Sequence, residues 1–403
     1  MGLILAAITV LSASPIAEIF EQPKLIPVLR WLSIIFIINS LGRVHNALLR
    51  REFAFKIIAV RSLLATIISG IVGIAMAISG YGVWSLVTLN ITAELFCLLF
   101  TWNTVNWRPR RQFSDRHFLD LYSFGVYLLA FKFVQFFNKR ADNLLIGYFL
   151  GEVALGYYAI AYRILEMMTQ LLVKTIDQVA LPTFARLQTE PERFRRLFDR
   201  TTQFTCLMAF PIYLGVSVLA PELIVSLFGK QWIPATTAMQ ILAFEGIVLS
   251  VSLFHKSVFV SMGKPVLAVK INIVNAIANV IACLIAVRWG INTVAVAYVV
   301  SSYLVFPVSQ STVNILIDIE TMPYLRQFVT PLLSSAIMVG AIAIFKHFLL
   351  NTVDPKLTVI IGTIVGMLVY ALCIKIIEPQ LFTQARLFIK SLFSKEKTSK
   401  NSI

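Results

Sequence analysis

The chain has 403 residues, of which 58% are hydrophobic and only 14% charged, and its mean hydropathy is +0.82. A soluble domain carries about a quarter charged residues, so this chain cannot cover itself with polar surface and a water-soluble protein is excluded. The formal net charge of +15 does not point to nucleic acid either, because the basic residues gather in short segments between apolar runs, where they suit anionic lipid headgroups.

Uncharged stretches such as Ser62 to Ala93 and Phe328 to Phe345 approach or exceed the roughly 20 apolar residues that one bilayer crossing needs. Divided at glycine, proline and charge clusters, the apolar runs predict helices over 2–20, 25–47, 55–78, 82–102, 118–146 and 151–185. A second set covers 197–226, 236–262, 265–288, 290–315, 324–348 and 356–377. The fold class expected is an all-α polytopic membrane protein with about twelve crossings. Basic residues mark every second connection: Arg43, Arg50, Arg51, Lys56 and Arg61, then Arg108, Arg110, Arg111 and Arg116, then Arg186, Arg193, Arg195, Arg196 and Arg200. Lys256, Lys264 and Lys270 mark the next more weakly, and Arg326 stands alone in the tenth. This alternation predicts a protein of the cytoplasmic (inner) membrane with both ends of the chain on the cytoplasmic side.

The organisation expected is a first helical lobe over 1–102, a basic cytoplasmic loop over 103–117, a second lobe over 118–315, two further helices over 316–378 and a basic tail over 379–403. In that tail Leu381, Phe382, Ala385, Phe388, Ile389, Leu392 and Phe393 recur at helical spacing beside Arg386 and Lys390, the pattern of an interfacial anchor. Met1 to Ala17 has no basic segment before its apolar run and begins as if in mid-helix, unlike a signal peptide. Cys97, Cys206, Cys283 and Cys373 sit singly in apolar segments, and His45, His117, His255 and His347 are scattered. Neither a metal site nor a cysteine–histidine nucleophile is supported, so no catalytic residue, metal or cofactor is expected.

Charged side chains at hydrocarbon depth cost at least ~2.5–3.5 kcal/mol each and should face a bundle interior or a wet cavity. On helix 118–146, Lys132, Gln135, Lys139, Asp142 and Asn143 fall within about 100° of arc, with Arg140 beside them. On the next helix Arg163, Glu166, Gln170, Lys174 and Asp177 fall within about 80°. A purely structural alternative is mutual neutralisation, Arg163 with Glu166 and Lys174 with Asp177, each at i,i+3. Glu245, Ser252 and Lys256 share a face of a third helix, and Asn272, Asn275 and Asn279 share a face of a fourth, for which interhelical hydrogen bonding is explanation enough. A polar cavity would contain all of these stripes, and its cations would suit an anionic substrate.

Several short segments occur in a familiar order. They are Leu48-Leu-Arg-Arg-Glu52 with Phe55, Gly80-Tyr-Gly-Val-Trp84, Arg140-Ala-Asp-Asn-Leu-Leu-Ile-Gly147, Leu155-Gly-Tyr-Tyr158 with Ala161-Tyr-Arg163, Phe210-Pro211, and Phe228-Gly-Lys-Gln-Trp232. Over essentially its whole length the chain thereby resembles the polysaccharide-transporter branch of the multidrug/oligosaccharidyl-lipid/polysaccharide exporter superfamily, which contains the O-antigen and exopolysaccharide flippases. The resemblance implies two pseudo-symmetric six-helix lobes around a central cavity, followed by two C-terminal helices. It also implies a lipid-linked oligosaccharide, usually on undecaprenyl diphosphate, moved to the outer leaflet by alternating access. Aligned by motif, Met1 falls near the family's third helix, so the expectation is that fold without its first two helices, through a late start or a fragment.

On this reading the diphosphate is met by cations among Lys132, Lys139, Arg140 and Arg163, and the candidate cavity residues are these with Asp142, Glu166, Lys174 and Asp177. The partners expected are the lipid-linked oligosaccharide, membrane lipids and, from the resemblance, polysaccharide polymerase or co-polymerase proteins, with no nucleic acid. Three other readings stand beside it. A multidrug/cation antiporter of the same superfamily needs isolated acids, whereas nearly every acid here except Glu94 and Glu245 has a basic neighbour close in sequence. A polymerase or glycosyltransferase needs a large loop or a soluble catalytic domain, and the chain shows neither, so no enzyme is expected. A non-transporting component of a polysaccharide-assembly complex is the third.

Overall fold

The computed structural model describes residues 2–52, 54–108, 115–349 and 354–383, the side chains of 115–121, 123, 124, 126–131, 138, 171–179, 182 and 349 excepted, and among the described residues it is helical with no strand. It divides into two units, Met1–Leu121 and Tyr122–Ile403.

The first unit holds α1 (Gly2–Ile19), α2 (Leu25–Leu32), α3 (Ile34–Arg51), α4 (Phe55–Ile78) and α5 (Val83–Thr104). Small residues let these helices approach closely, as membrane helices do in the absence of a hydrophobic drive between them. A Cβ added at Gly73 would lie 2.8 Å from a methyl of Leu89 on α5. The α4–α5 connection turns at Gly80 (φ +85°) and Gly82 (φ +52°), conformations that side chains resist. The sequence predicts one helix over 25–47; the structure bends it at Ser33, whose hydroxyl donates back to the Arg30 carbonyl at 2.6 Å, a contact that bends helices. Arg61 has an internal role beyond flanking a loop, since its guanidinium donates to Asn46 on α3 and, at 3.1 Å, to Thr101 on α5.

The second unit opens on three long helices: α6 (Asp115–Phe149), whose first residues belong to the other unit, α7 (Gly151–Arg186) and α8 (Pro191–Val218). After α9 (Ala220–Phe228) and a 3-10 turn over Lys230–Ala235 come three short pieces, α10 (Thr236–Ala243), α11 (Glu245–Ser252) and α12 (His255–Ser261). They are followed by α13 (Pro265–Ala286), α14 (Ile291–Ile317), α15 (Thr321–Arg326), α16 (Val329–Leu349) and α17 (Pro355–Ile377). Proline opens α8, α13 and α17 at the first helical turn, where its missing N–H costs nothing.

Two large cores hold this unit, with smaller clusters beside them. One gathers Ile146, Tyr158, Ile164, Tyr213, Leu242 and Val294; the other gathers Phe184, Phe198, Phe254, Phe259 and Tyr324. At one end Arg195 of α8 donates to the Ile317 carbonyl at 2.7 Å and pairs with Asp318 at 2.6 Å, satisfying a terminal carbonyl of α14.

Ten helical segments among the described residues are long and apolar enough to cross a membrane. Together with the long α6 and α7 they fall where the sequence places its crossings, and their outer faces are apolar, with Ile78 and Ile315 each 82% exposed. The chain is a multi-pass membrane protein. The tail helix lies mostly outside the described residues, but its first turn, 379–383, is helical and buries Leu381 against Leu207 and Ile374.

Candidate functional site

The sequence predicts one helix over 236–262, and its interruption builds the site. At Phe244 the backbone tightens to i→i+3 bonds, Phe244 to Ile241 at 3.1 Å and Ile247 to Phe244 at 3.2 Å. The Phe244 carbonyl also accepts from the Tyr303 hydroxyl of α14 at 3.1 Å. Beyond the break Gly246 lies directly on the Tyr213 ring of α8, and no other residue fits there, because its Cβ would sit 2.1 Å from the ring. Glu245 is thereby held inside the bundle at 8% exposure. Ser302 is within hydrogen-bonding reach of its carboxyl, and its Oε2, shielded from solvent, has no partner among the described residues.

Glu245 lines a cavity of about 490 Å³ within the second unit. Lys139 comes to its wall from α6, Tyr162, Glu166, Thr169 and Gln170 from α7, and Ser252 from α11. Asn272, Asn275 and Asn279 come from α13, where spacings of three and four keep them on one face, and Tyr298, Ser301, Ser302 and Ser309 from α14. Some of these groups are already engaged locally: Asn279 accepts from the Cys283 thiol at 3.2 Å, and Asn272 donates to the Ala268 carbonyl at 3.0 Å. The Thr169 and Tyr213 hydroxyls meet at 2.9 Å.

From Ser309 a buried polar chain runs away from the cavity. His255 Nδ1 is 2.7 Å from the Ser309 hydroxyl and its Nε2 is 3.0 Å from Gln310 Oε1. Gln310 donates to Asn314 at 2.8 Å, and Asn314 to Thr321 at 2.9 Å.

Of the residues singled out from the sequence, the structure places Lys139 and Glu166 on the cavity wall, together with Gln170, Glu245, Ser252 and the three asparagines. Lys132 is exposed on α6 away from the wall and donates to Gln135 at 3.3 Å. Arg140 stands beside the cavity, 3.6 Å from the Glu166 carboxylate, with its guanidinium 5.8 Å from the centre of the Tyr162 ring. The pairing expected between Arg163 and Glu166 is not the one formed. Glu166 is taken across helices by Arg140, while Arg163 is exposed and forms no ion pair among the described residues. Asp142 is a second correction: it lies at the edge of the α6 arc, where it is fully buried and accepts from the Tyr158 hydroxyl at 2.8 Å and from the Asn143 amide at 2.8 Å. It belongs to the packing of α6 on α7 and not to the cavity lining. The side chains of Lys174 and Asp177 lie outside the described residues. Tyr162, Tyr298 and the serines of α14 escape the sequence reading because tyrosine and serine are unremarkable in apolar helices, and only the Ser301, Ser302 and Ser309 spacing hints at a face.

Comparison with known proteins agrees with this architecture. Residues 1–237 match the family model described as polysaccharide biosynthesis protein. The teichuronic acid biosynthesis protein TuaB of Bacillus subtilis (strain 168) is 25% identical over 404 residues, covering 98% of this chain and 82% of TuaB. The succinoglycan biosynthesis transport protein ExoT of Rhizobium meliloti (strain 1021) is 25% identical over 374 residues, 92% of this chain and 75% of ExoT. Among solved structures, the lipid II flippase MurJ in an inward closed conformation matches with a TM-score of 0.78 at 16% identity, over 94% of this chain and 81% of MurJ, a likeness of fold. With more than half of its length matched by the family model and its helices arranged as in that exporter fold, the chain belongs to the polysaccharide biosynthesis protein family, in the polysaccharide-transporter branch that its motifs resemble.

Proposed function

We propose that the chain translocates a lipid-linked oligosaccharide, carried on undecaprenyl diphosphate, from the cytoplasmic to the outer leaflet of the cytoplasmic membrane. The observation that carries this reading is the pairing of two cavities of opposite character within the second unit. The polar one presents Lys139 among amides and hydroxyls. The other, of about 530 Å³, lies between α8, α16 and α17 and is walled by Leu207, Ile212, Leu219, Met338, Ile342 and Ile374. Helix α8 walls the apolar cavity with Pro211, Ile212 and Gly215, and its Tyr213 hydroxyl reaches Thr169 on the wall of the polar one. An amphiphile with a charged, hydroxyl-rich head and a polyprenyl tail suits such a pair, and the names of the relatives point the same way. Lys139 meets the diphosphate, where a charge-assisted bond is stronger than in bulk water. Arg140 and Arg163 are further cations near the same helix faces.

The test is translocation of a fluorescent undecaprenyl-diphosphate oligosaccharide in vesicles holding the purified chain, read by protection from an added impermeant quencher. Transport that falls about tenfold in Lys139→Ala at normal protein level is expected, the loss of roughly one charge-assisted contact. Translocation unaffected by Lys139→Ala would remove the cation from the reading, and no translocation at all would remove the flippase.

A further inference from the structure

We infer that the sugar part of the substrate seats in the polar cavity of the second unit, and that Glu245 decides which sugar seats there, favouring a unit with a free amino group or hydroxyls and rejecting an acidic one. This rests on the lipid-linked glycan reading above and adds the chemistry of the head group to it.

Beyond Lys139, the wall of the cavity suits a sugar better than an anion. Among the described residues Lys139 is its one cation, and it is accompanied by two carboxyls, Glu166 and Glu245, of which only Glu166 has a cationic partner, Arg140. The rest of the polar lining is amide and hydroxyl, groups that donate and accept at once and so match neighbouring sugar hydroxyls. Tyr162 and Tyr298 stand edge to face with ring centres 6.1 Å apart, offering aromatic surface to the C–H face of a sugar ring. At about 490 Å³ the space is within the roughly 300–1,000 Å³ range of small-molecule sites.

Glu245 is the anomaly that sets the preference. A buried carboxyl without a counter-charge is destabilising, yet the break at Phe244 and the contact of Gly246 with Tyr213 hold this one in place. A resident inorganic cation needs several converging oxygens. Ser302 is within reach of the Glu245 carboxyl, and no cluster of metal-binding side chains occurs among the described residues. What remains is a donor brought by the ligand. A sugar ammonium supplies the missing counter-charge and a hydroxyl satisfies the orphan oxygen, whereas a uronic acid would bring a second carboxyl to a buried site where two cannot readily ionise together. The cavity then serves both parts of the substrate, the phosphate near exposed Lys139 and the sugar against buried Glu245.

The full chain in lipid nanodiscs would be titrated calorimetrically with three soluble probes: the glucosamine disaccharide, N,N′-diacetylchitobiose and digalacturonic acid. The amino sugar should bind tightest and digalacturonic acid at least about tenfold weaker than diacetylchitobiose. Glu245→Gln, which keeps the shape, should weaken the amino sugar by about tenfold, change diacetylchitobiose by less than about threefold and abolish the discrimination against the acid. A purely structural role would lower all three together. Equal binding of acidic and neutral probes by the unaltered protein, an unchanged order of preference in Glu245→Gln, or no binding of any probe would each overturn the inference. Because the probes carry no lipid, probe selectivity without vesicle translocation would sink the flippase reading alone, and translocation without selectivity would sink only this one.

Discussion

Replacing Gly246 by alanine tests the contact on which the site is built. The added Cβ would lie 2.1 Å from Cγ of Tyr213 and 2.3 Å from both of its Cδ atoms, against the ~3.5–4.0 Å of ordinary carbon contacts. The ring must therefore withdraw by roughly 1.4 Å or α11 must move by as much. Tyr213 is 1% exposed and packed in the core with Ile164, Leu242 and Val294. Its hydroxyl, 2.9 Å from that of Thr169, would be drawn to about 4 Å, beyond hydrogen-bonding distance. Overpacking at about 1–3 kcal/mol and one lost hydrogen bond at about 1 kcal/mol give an expected destabilisation of about 2–4 kcal/mol. The measurement is the denaturant midpoint of the purified protein in mild detergent, followed by intrinsic fluorescence. Tyr213→Leu on the Gly246→Ala background, which removes the ring, should recover part of the loss. A cost below about 0.5 kcal/mol for Gly246→Ala alone, within the range of an ordinary surface change, would show that α8 and α11 do not approach in this way.

Tyr158→Phe should destabilise by about 1–3 kcal/mol, because buried Asp142 loses its hydroxyl donor; an unchanged unfolding midpoint with impaired transport would return Asp142 to the candidate cavity residues. Arg140→Ala combined with Glu166→Ala should export better than Arg140→Ala alone, since no unpaired carboxylate is left at the cavity wall. Arg163→Ala combined with Glu166→Ala should be no better than Arg163→Ala, and rescue there would mean that the sequence-adjacent pair forms after all. Cysteines placed at Arg50 and Arg195 should resist an impermeant thiol reagent in intact cells, and labelling of either would reverse the orientation drawn from the basic connections.

The crossings are legible because each is written locally, in an apolar run closed by glycine or charge and often opened by proline, as at Pro191, Pro265 and Pro355. The asparagine face of α13 is legible for the same reason, since three side chains on one helix need only its period. What is not legible is set by a neighbour distant in sequence. The partner of Glu166 could not be found from i,i+3 spacing, because Arg140 reaches it from another helix. Asp142 looks like a cavity residue until Tyr158 is seen to cover it. The break at Phe244 has no proline to announce it, and it depends on Tyr213 and Tyr303 from two other helices. Ser33, by contrast, bends its helix through its own hydroxyl, yet serine occurs in so many straight helices that the signal is weak.

The buried chain behind Ser309 has a direction as well as a length. Asn314 spends its amide hydrogens on Thr321, so its oxygen receives Gln310, and the Gln310 oxygen must in turn receive the Nε2 proton of His255. The neutral ring then has only a lone pair left on Nδ1, and the Ser309 hydroxyl must point its hydrogen at it. Ser309 is left showing the cavity oxygen and no hydrogen. The chain from Thr321 at the start of α15, through the three side chains of Asn314, Gln310 and His255, thus makes this spot on the wall an acceptor, and a mutation at Thr321 would be felt by a ligand it never touches.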